Sequence, residues 1–196
     1  MKLTLVRHTS LDIAPSICYG QSDIAVSTNF ENECLALQTK LATFQFDAVY
    51  ASPLKRCHQL AQALCADETF GHASENIQLD ERLRELHFGD WEMSPWDAIP
   101  RDIFDVWAND YANLAPPNGE TFGQLHTRAK SFVEDVSSHS QGKNILVVTH
   151  GGLIRALIAE VLQMPLKRLF RITIDHASLT QLEFNGEVPK INFMNL

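Results

Sequence analysis

The sequence lacks an excess of positive charge. It carries 16 lysines and arginines against 24 acidic residues, which gives a formal net charge of −8 at pH 7. Proteins that bind nucleic acid or anionic membranes through surface charge need a basic footprint, and this composition does not supply one. We therefore expect no nucleic acid partner, and any anion must be captured by a few local cationic side chains.

Long hydrophobic runs are also missing. The N-terminal segment Met1–Arg7 has too short an apolar stretch for a signal peptide, and no other run reaches the length that crosses a bilayer. The sequence therefore predicts a soluble cytoplasmic protein with no membrane partner. It indicates nothing about the oligomeric state.

Clustered metal ligands and paired cysteines are absent as well. The four cysteines form no CxxC pair, and a chain of 196 residues can build a core without disulfides, so we expect reduced thiols. Cys57 and Cys65 lie eight apart on a predicted helix, where buried packing is the favoured interpretation. The eight histidines, which contain no HExxH motif or short-spaced ligand set, are His8, His58, His72, His87, His126, His139, His150 and His176. We therefore predict no metal and no cofactor.

The chain does have an alternation of short apolar runs with helix-like segments, and no internal repeat or linker. The predicted buried strands are Leu3–Val6, Ala48–Ala51 and Ile145–Thr149. The predicted helices are Glu31–Phe44, Pro53–Cys65, Glu120–Ser138 and Leu153–Leu162, with Pro53 in a first helical turn. Near the C-terminus we predict strands at Arg171–Asp175, Leu179–Phe184 and Lys190–Phe193. The pattern indicates one α/β domain over residues 1–196, and Asn185-Gly186 indicates a hairpin turn between the last two strands.

The stretch from about Phe88 to Pro117 differs from the rest. It contains all three tryptophans, several acidic residues and four prolines. We interpret it as an insertion or lid. For Trp91, Trp96 and Trp107, packing is the favoured interpretation and a substrate cage is the alternative.

Three predicted strands end at reactive or cationic groups. His8 and Arg7 end the first, Arg56 follows the second, and His150 with Gly151 follows the third. In open α/β sheets, ligands bind at the carboxyl ends of the strands, so these residues could meet in one pocket. Imidazole can attack phosphorus, guanidinium groups bind phosphate oxygens, and a helix beginning at Gly151 can direct amides at an anion. The set predicts a phosphoryl-transfer site.

A leaving alkoxide also needs a proton, and the candidate donor is Glu85. Taken singly, each of these residues has a plainer interpretation. An isolated histidine is more often structural, Arg56 alone is more often a helix-face cation, and Glu85 alone is more often a surface charge. The combination of all of them favours catalysis.

The chain resembles the histidine phosphatase superfamily, which contains the phosphoglycerate mutases. The segments that carry the resemblance are Leu5–Thr9, Ala51–Arg56, Leu83–Glu85 with Phe88–Glu92, and Val148–Gly152. It implies a single-domain, three-layer α/β/α fold of the phosphoglycerate mutase type, with a mostly parallel central sheet. It further implies that His8 is the nucleophile and that Glu85 is the acid that later serves as base for water. The residues that hold the phosphoryl group are then Arg7, Arg56 and His150.

Within the superfamily, several segments are similar to the α-ribazole phosphatases of cobalamin synthesis: Ile17–Asp23, Phe88–Met93 followed by Trp96–Arg101, and Pro116–Thr121. This resemblance implies hydrolysis of α-ribazole 5′-phosphate or its cobamide form, with Gln21 and Ser22 as possible substrate contacts. The sequence departs from the wider pattern at Thr9, Leu60 and Met93, and the asparagine typical of mutases has no clear counterpart. These departures bear on the substrate more than on the chemistry.

Two alternatives remain open. A broad-specificity phosphomonoesterase or a phosphoglycerate mutase would use the same five residues, and an inactive module that only binds phosphorylated ligands could share the fold. The presence of all five residues argues against the inactive module. In every version, the expected partner is a small-molecule phosphate ester.

Overall fold

The computed structural model describes residues 1–66 and 76–196. The strands described are β1 (Lys2–Arg7), β2 (Ile17–Cys18), β3 (Ala48–Ala51), β4 (Ile77–Leu79), β5 (Ser94–Pro95), β6 (Asn144–Thr149), β7 (Leu179–Glu183) and β8 (Lys190–Phe193). Six of them form one sheet in the order β4-β3-β6-β1-β7-β8, while β2 and β5 pair separately. The strands β4, β3, β6 and β1 run parallel to one another. Strand β7 is antiparallel to both β1 and β8. The expected mostly parallel sheet is confirmed.

Helices cover both faces of this sheet. They are α1 (Phe30–Leu41), α2 (Lys55–Cys65), α3 (Arg101–Asn109), α4 (Phe122–His139) and α5 (Gly151–Leu162). Along β6, Leu146 and Val148 join one buried cluster with residues of α1 and α2, and Ile145 and Val147 join a second with residues of α4 and α5. Because side chains alternate along a strand, the two clusters lie on opposite faces, which makes three α/β/α layers. In the part of the chain described, no helix combines the length and apolarity that a membrane crossing needs.

The start of α4 has a local cause in the sequence. The Thr121 hydroxyl accepts a hydrogen bond from the Gln124 backbone N–H at 3.0 Å, and the Gln124 side chain accepts one from the Thr121 N–H at 2.7 Å. This reciprocal capping satisfies two donors that a helix N-terminus would otherwise leave free. The helix therefore begins at Phe122, two residues after the predicted Glu120.

Two sequence predictions are wrong in detail. Pro53 lies before α2 and outside its first turn, since Leu54 is the residue that precedes the helix. Arg171–Asp175 is not a strand: Leu166–Arg171 forms a 3₁₀ helix and the residues after it form no strand. The carbonyls of Ile172 and Ile174 accept hydrogen bonds from arginine side chains instead of from a neighbouring strand.

The predicted hairpin is confirmed as the antiparallel pair β7 and β8. Its connection spans residues 184–189, which is longer than the two-residue turn that Asn185-Gly186 favours. The side-chain oxygen of Asn185 accepts a hydrogen bond from the amino terminus of Met1, beside β1. The asparagine therefore connects the loop to the first strand.

The segment from Phe88 to Pro117 contains β5, α3 and two short 3₁₀ turns. Trp91 and Trp107 are buried in the cluster of the α4 and α5 face, and their rings meet edge to face with centroids 5.3 Å apart. Packing is thus confirmed for these two tryptophans. Movement of the segment as a lid stays a prediction.

Candidate active site

The carboxyl ends of β1, β3 and β6 bring the predicted site residues to one edge of the sheet. His8 follows β1, Arg56 is the second residue of α2, and His150 directly precedes α5. The rings of His8 and His150 lie edge to face with centroids 5.2 Å apart. Residues far apart in the sequence thus meet because parallel strands end at the same edge.

His8 is buried and held as a neutral imidazole. Its Nδ1 lies 2.8 Å from the Thr9 carbonyl oxygen, which can only accept, so Nδ1 carries the proton. Burial lowers the pKa of His8 well below 6.5, and the positive charges of Arg56 and Arg7 lower it further. The other ring nitrogen, Nε2, is therefore left with a free lone pair, which is the state that a nucleophile needs.

His150 is buried beside Ser52 and Cys57. Its Nε2 lies 2.8 Å from the Ser52 hydroxyl and 3.4 Å from the Cys57 Sγ. Burial first, and then Arg56 and His8, lower the pKa of His150 well below its ordinary value. Cys57 has a pKa raised by burial, so it is a neutral thiol that supports the imidazole, which is more than the packing role expected from sequence.

A third histidine joins the site from the loop before β7. The ring of His176 lies 5.2 Å from that of His8, and its Nε2 lies 2.8 Å from Nη2 of Arg7. Because a guanidinium only donates, this nitrogen accepts and the ring is neutral. Burial and Arg7 lower the pKa of His176 to about 4. The structure thus places His176 against both Arg7 and His8.

Arg7 and Arg56 are fixed by backbone carbonyls. Nη1 and Nη2 of Arg56 donate to the carbonyls of Ser22 and Gly20 at 2.8 and 2.7 Å, and Nη1 of Arg7 donates to that of Ile174 at 2.5 Å. The Nε–H groups of both arginines are buried and have no acceptor within residues 1–66 and 76–196. A buried unpaired donor is costly, so an anion that accepts these hydrogen bonds would be favoured here.

Glu85 lies at the N-terminus of α5. One carboxylate oxygen accepts from the Leu86 N–H at 2.9 Å and the other from the Gly152 N–H at 3.1 Å. A Cβ at position 152 would overlap the Glu85 carboxylate, so only glycine allows this approach. The start of α5 therefore fixes the Glu85 carboxylate beside Gly152, two residues after His150.

Arg128, which sequence reasoning missed, holds the segment that carries Glu85. From α4 it donates to the carbonyls of Arg82, Arg84 and Glu85 at 2.6 to 2.9 Å, and it pairs with Glu120 at 2.6 Å. Arg128 hydrogen-bonds to the backbone on both sides of Glu85, and in this position it orients the segment and does not bind a ligand itself. Because Arg128 lies in the middle of a helix, no sequence motif marks it as a site residue.

The first loop is organised by Glu92. Its carboxylate accepts from the Gln21 N–H at 2.9 Å and from the Ser22 hydroxyl at 2.6 Å, while the Gln21 side chain donates to the Glu85 carbonyl at 2.9 Å. Gly20 has a φ of +44°, and a Cβ there would overlap the Glu92 carboxylate. The polar ends of Gln21 and Ser22 thus bond within the protein, and their direct contact with a substrate stays a prediction.

Arg155 is a further site residue that sequence reasoning missed. It lies one helical turn after Gly151 on α5, and its Nη1 would be 3.0 Å from a Cβ at position 151. Its Nε donates to the Ile172 carbonyl at 2.8 Å, and burial lowers its pKa. The spacing of four residues from Gly151 was the signal that could have found it.

No group of three His, Cys, Asp or Glu side chains within residues 1–66 and 76–196 is arranged to hold a metal ion. His72 lies outside those residues. The four cysteines are all free thiols. The absence of a metal from the reaction stays a prediction, for which a chelator test is given below.

The buried neutral histidines predict an acid-sensitive fold. Their pKa values are lowered in the folded protein, so below pH 6.5 the unfolded chain binds protons that the folded chain does not. The stability they contribute is complete above pH 6.5 and is lost as the pH falls. Between pH 7.5 and 5.5, His8 and His150 together should lower the free energy of unfolding by about 3 kcal/mol. Urea unfolding in phosphate-free buffer at the two pH values measures this loss.

Two variants serve as controls for the unfolding experiment. His8→Asn removes one of these groups and should reduce the loss by about 1.4 kcal/mol, which leaves the share of His150 and that of His176, whose pKa is also lowered. His139 is exposed at the end of α4, with 79% of its side chain accessible, so His139→Asn should leave the loss unchanged. A free energy of unfolding that does not change between pH 7.5 and 5.5 would contradict the neutral, buried state of the histidines.

Known proteins resemble this chain in sequence and in fold. The family model described as the histidine phosphatase superfamily (branch 1) matches residues 3–196. An adenosylcobalamin/alpha-ribazole phosphatase of Escherichia coli (strain K12) is 28% identical over all of this chain and 96% of its own length. A 2,3-bisphosphoglycerate-dependent phosphoglycerate mutase of Pseudoalteromonas atlantica is 27% identical over 90% of each chain. The crystal structure of the alpha-ribazole phosphatase from Shigella flexneri superposes with a TM-score of 0.88 at 26% identity, covering 100% of this chain and 96% of that one.

Proposed function

The chain belongs to the histidine phosphatase superfamily, and from this membership we propose a phosphomonoesterase that acts on a small-molecule phosphate ester through a phosphohistidine on His8. The observation that carries the proposal is the state of His8. It is a buried neutral imidazole whose proton is held on Nδ1 by the Thr9 carbonyl, with Arg7 and Arg56 close enough to lower its pKa. A free lone pair beside two fixed cations suits attack on a phosphoryl group.

The proposed reaction has two steps. In the first, Nε2 of His8 forms a bond to phosphorus while the ester P–O bond breaks, and Glu85 gives its proton to the leaving oxygen. In the second, the Glu85 carboxylate takes a proton from water, and the water oxygen displaces His8 to give inorganic phosphate. Glu85 thereby serves as acid and then as base.

The phosphoryl oxygens would be held by four groups. Arg7 and Arg56 offer their unpaired Nε–H groups, and Gly151 offers an amide at the positive end of α5. His150, whose ring lies against that of His8, is the fourth of these groups. These donors stabilise charge in the way that a metal ion does in other phosphatases.

For the substrate, we propose α-ribazole 5′-phosphate or its cobamide form in cobalamin synthesis, with action in the cytoplasm. Two observations support it. The segments Ile17–Asp23, Phe88–Met93 and Trp96–Arg101 are similar to α-ribazole phosphatases, and a relative of that name aligns over the full chain. The alternatives are a broad-specificity histidine phosphatase and a phosphoglycerate mutase, the activity in the name of another relative. An inactive module that only binds phosphorylated ligands is less favoured because His8 is held as a neutral imidazole.

A substrate panel tests the proposal. Phosphate release should be measured on α-ribazole 5′-phosphate, ribose 5-phosphate, nucleotides, phosphoserine and phosphoglycerates, each with and without excess EDTA. We expect the highest kcat/KM on α-ribazole 5′-phosphate and no effect of EDTA, because arginines and amides supply the positive charge.

Each contrary result has its own meaning. Comparable kcat/KM values across the panel would indicate the broad-specificity alternative. Transfer of phosphate between phosphoglycerates without release would indicate a mutase. Loss of turnover in EDTA that Mg²⁺ restores would contradict the metal-free mechanism, and no turnover on any ester would contradict the phosphatase.

A further inference from the structure

An aromatic cavity of about 280 Å³ lies against α3, and none of the roles above uses it. Its lining residues are Trp96, Phe104, Trp107, Ala108, Tyr111 and Phe170. The rings brace one another: Tyr111 and Phe170 have centroids 4.9 Å apart, and Phe104 and Trp107 have centroids 5.7 Å apart. Cavities walled by aromatic rings take flat, largely apolar groups.

Arg155 connects this cavity to the phosphate-binding groups. Its guanidinium carbon lies 5.8 Å from the centroid of the Phe170 ring. On its other side, Nη1 would be 3.0 Å from a Cβ at Gly151, and Nε of Arg7 would be 3.3 Å from the same atom. One side chain therefore spans from the amide proposed to bind phosphate to the rim of the cavity.

Among the residues described, Arg155 forms no salt bridge, although the carboxylates of Glu85 and Asp175 lie near enough to oppose the lowering of its pKa by burial. Its Nε donates to the Ile172 carbonyl, two residues before the Ile174 carbonyl that binds Arg7. The two guanidiniums therefore lie side by side along one backbone segment. Within residues 1–66 and 76–196, no acceptor contacts Nη1 or Nη2 of Arg155, so these groups are available to oxygen atoms of a bound molecule.

The geometry points to a leaving-group subsite: we propose that the cavity binds a planar aromatic heterocycle and that Arg155 binds the oxygens of the sugar that joins this ring to the phosphate. The ligand class is a ribose 5′-phosphate that carries an aromatic base. The proposal rests on the phosphatase function proposed above and adds the residues that select the substrate. Phosphoserine and phosphoglycerates have no ring and would leave the cavity empty.

A matched pair of substrates tests the subsite. α-Ribazole 5′-phosphate and ribose 5-phosphate lose the same kind of alkoxide, so the ratio of their kcat/KM values isolates the ring. Phe170 is 55% exposed and can be truncated at little cost to the core. In Phe170→Ala, we expect the ratio to fall about tenfold, since a base stacked on an aromatic side chain loses about that much affinity when the side chain is removed.

A second variant and a control variant distinguish loss of ring binding from a folding defect. Ala108 is an exposed cavity residue on α3, so Ala108→Trp adds bulk to the cavity from outside the core and should also lower the ratio. Val106, on the same helix, is 59% exposed and does not line the cavity, so Val106→Ala should leave the ratio unchanged. An unchanged ratio in both Phe170→Ala and Ala108→Trp overturns the subsite.

Ring binding can also be measured without turnover. All three tryptophans of the chain lie in or against the cavity, because Trp96 and Trp107 line it and Trp91 contacts Trp107. Unphosphorylated α-ribazole should therefore quench tryptophan fluorescence, and Phe170→Ala should weaken this binding about tenfold. Absence of quenching in the unaltered protein overturns the subsite, whereas failure to hydrolyse any ester overturns the phosphatase and leaves this readout intact.

Discussion

Replacing His8 by alanine is expected to lower kcat by about 10⁴-fold or more on every phosphate ester, because the variant has no atom to accept the phosphoryl group. His8 is the only ring in contact with both His150 and His176 among the residues described, so neither neighbour can take its place without moving. Turnover should be compared with that of the unaltered protein by single-turnover and steady-state phosphate release.

The exposed histidine of α4 gives a matched control. His139→Ala removes an imidazole that is 79% accessible and should retain full turnover. A rapid quench with labelled substrate should leave an acid-labile, base-stable phosphate on the unaltered protein and on His139→Ala, but none on His8→Ala. Retained turnover in His8→Ala, or label on a serine or cysteine, would contradict the phosphohistidine.

The second large effect is expected at Glu85, and it should depend on the leaving group. With a ribose 5′-alkoxide, expulsion needs a proton, so Glu85→Gln should lower kcat/KM by about 10²–10⁴-fold. With p-nitrophenolate, little protonation is needed, and the loss should be much smaller. Because kcat/KM includes only the steps up to formation of the phosphoenzyme, the later role of Glu85 as base for water does not affect the comparison.

The test of Glu85 as the acid is the ratio of two kcat/KM losses in Glu85→Gln, one on the ribose ester and one on p-nitrophenyl phosphate. Glu85 accepts from two backbone N–H groups, and a glutamine must turn its NH₂ toward one of them, so both substrates share some loss from disturbed geometry. Glu81, in the same segment, is 72% exposed, so Glu81→Gln should change neither rate. Equal losses on both substrates in Glu85→Gln would reject Glu85 as the acid. Asp90 would then be the next carboxylate to test, because Glu92 is committed to the first loop.

Much of the site was predictable because it follows strand ends. Arg7, His8 and His150 directly follow short apolar runs, and parallel strands place such residues at one edge. Arg128 was not identified as a site-forming residue from the sequence. Arg128 is an ordinary residue of an amphipathic helix until the fold places the backbone of Arg82 and Glu85 against it.

The failed strand at Arg171–Asp175 has a similar cause. Its apolar and polar residues alternate as in a strand, but the place beside β1 is taken by β7. The carbonyls of Ile172 and Ile174 are then free to bind the guanidiniums of Arg155 and Arg7. Which segment pairs with β1 depends on competition between distant parts of the chain, and local periodicity does not contain that information.

The sequence by itself determined the α/β class, the three central strands and the family, and it predicted Arg7, His8, Arg56, Glu85 and His150 as the candidate site, because each depends on local pattern or on a motif of adjacent residues. The tertiary structure alone decided which nitrogen of His8 carries the proton, which buried donors remain unpaired, and that Arg155 lies between Gly151 and the ring of Phe170. Those properties arise from burial and from side-chain positions that local sequence pattern does not fix. Physical proximity of that kind exists only once the sheet has assembled and its strand ends have met.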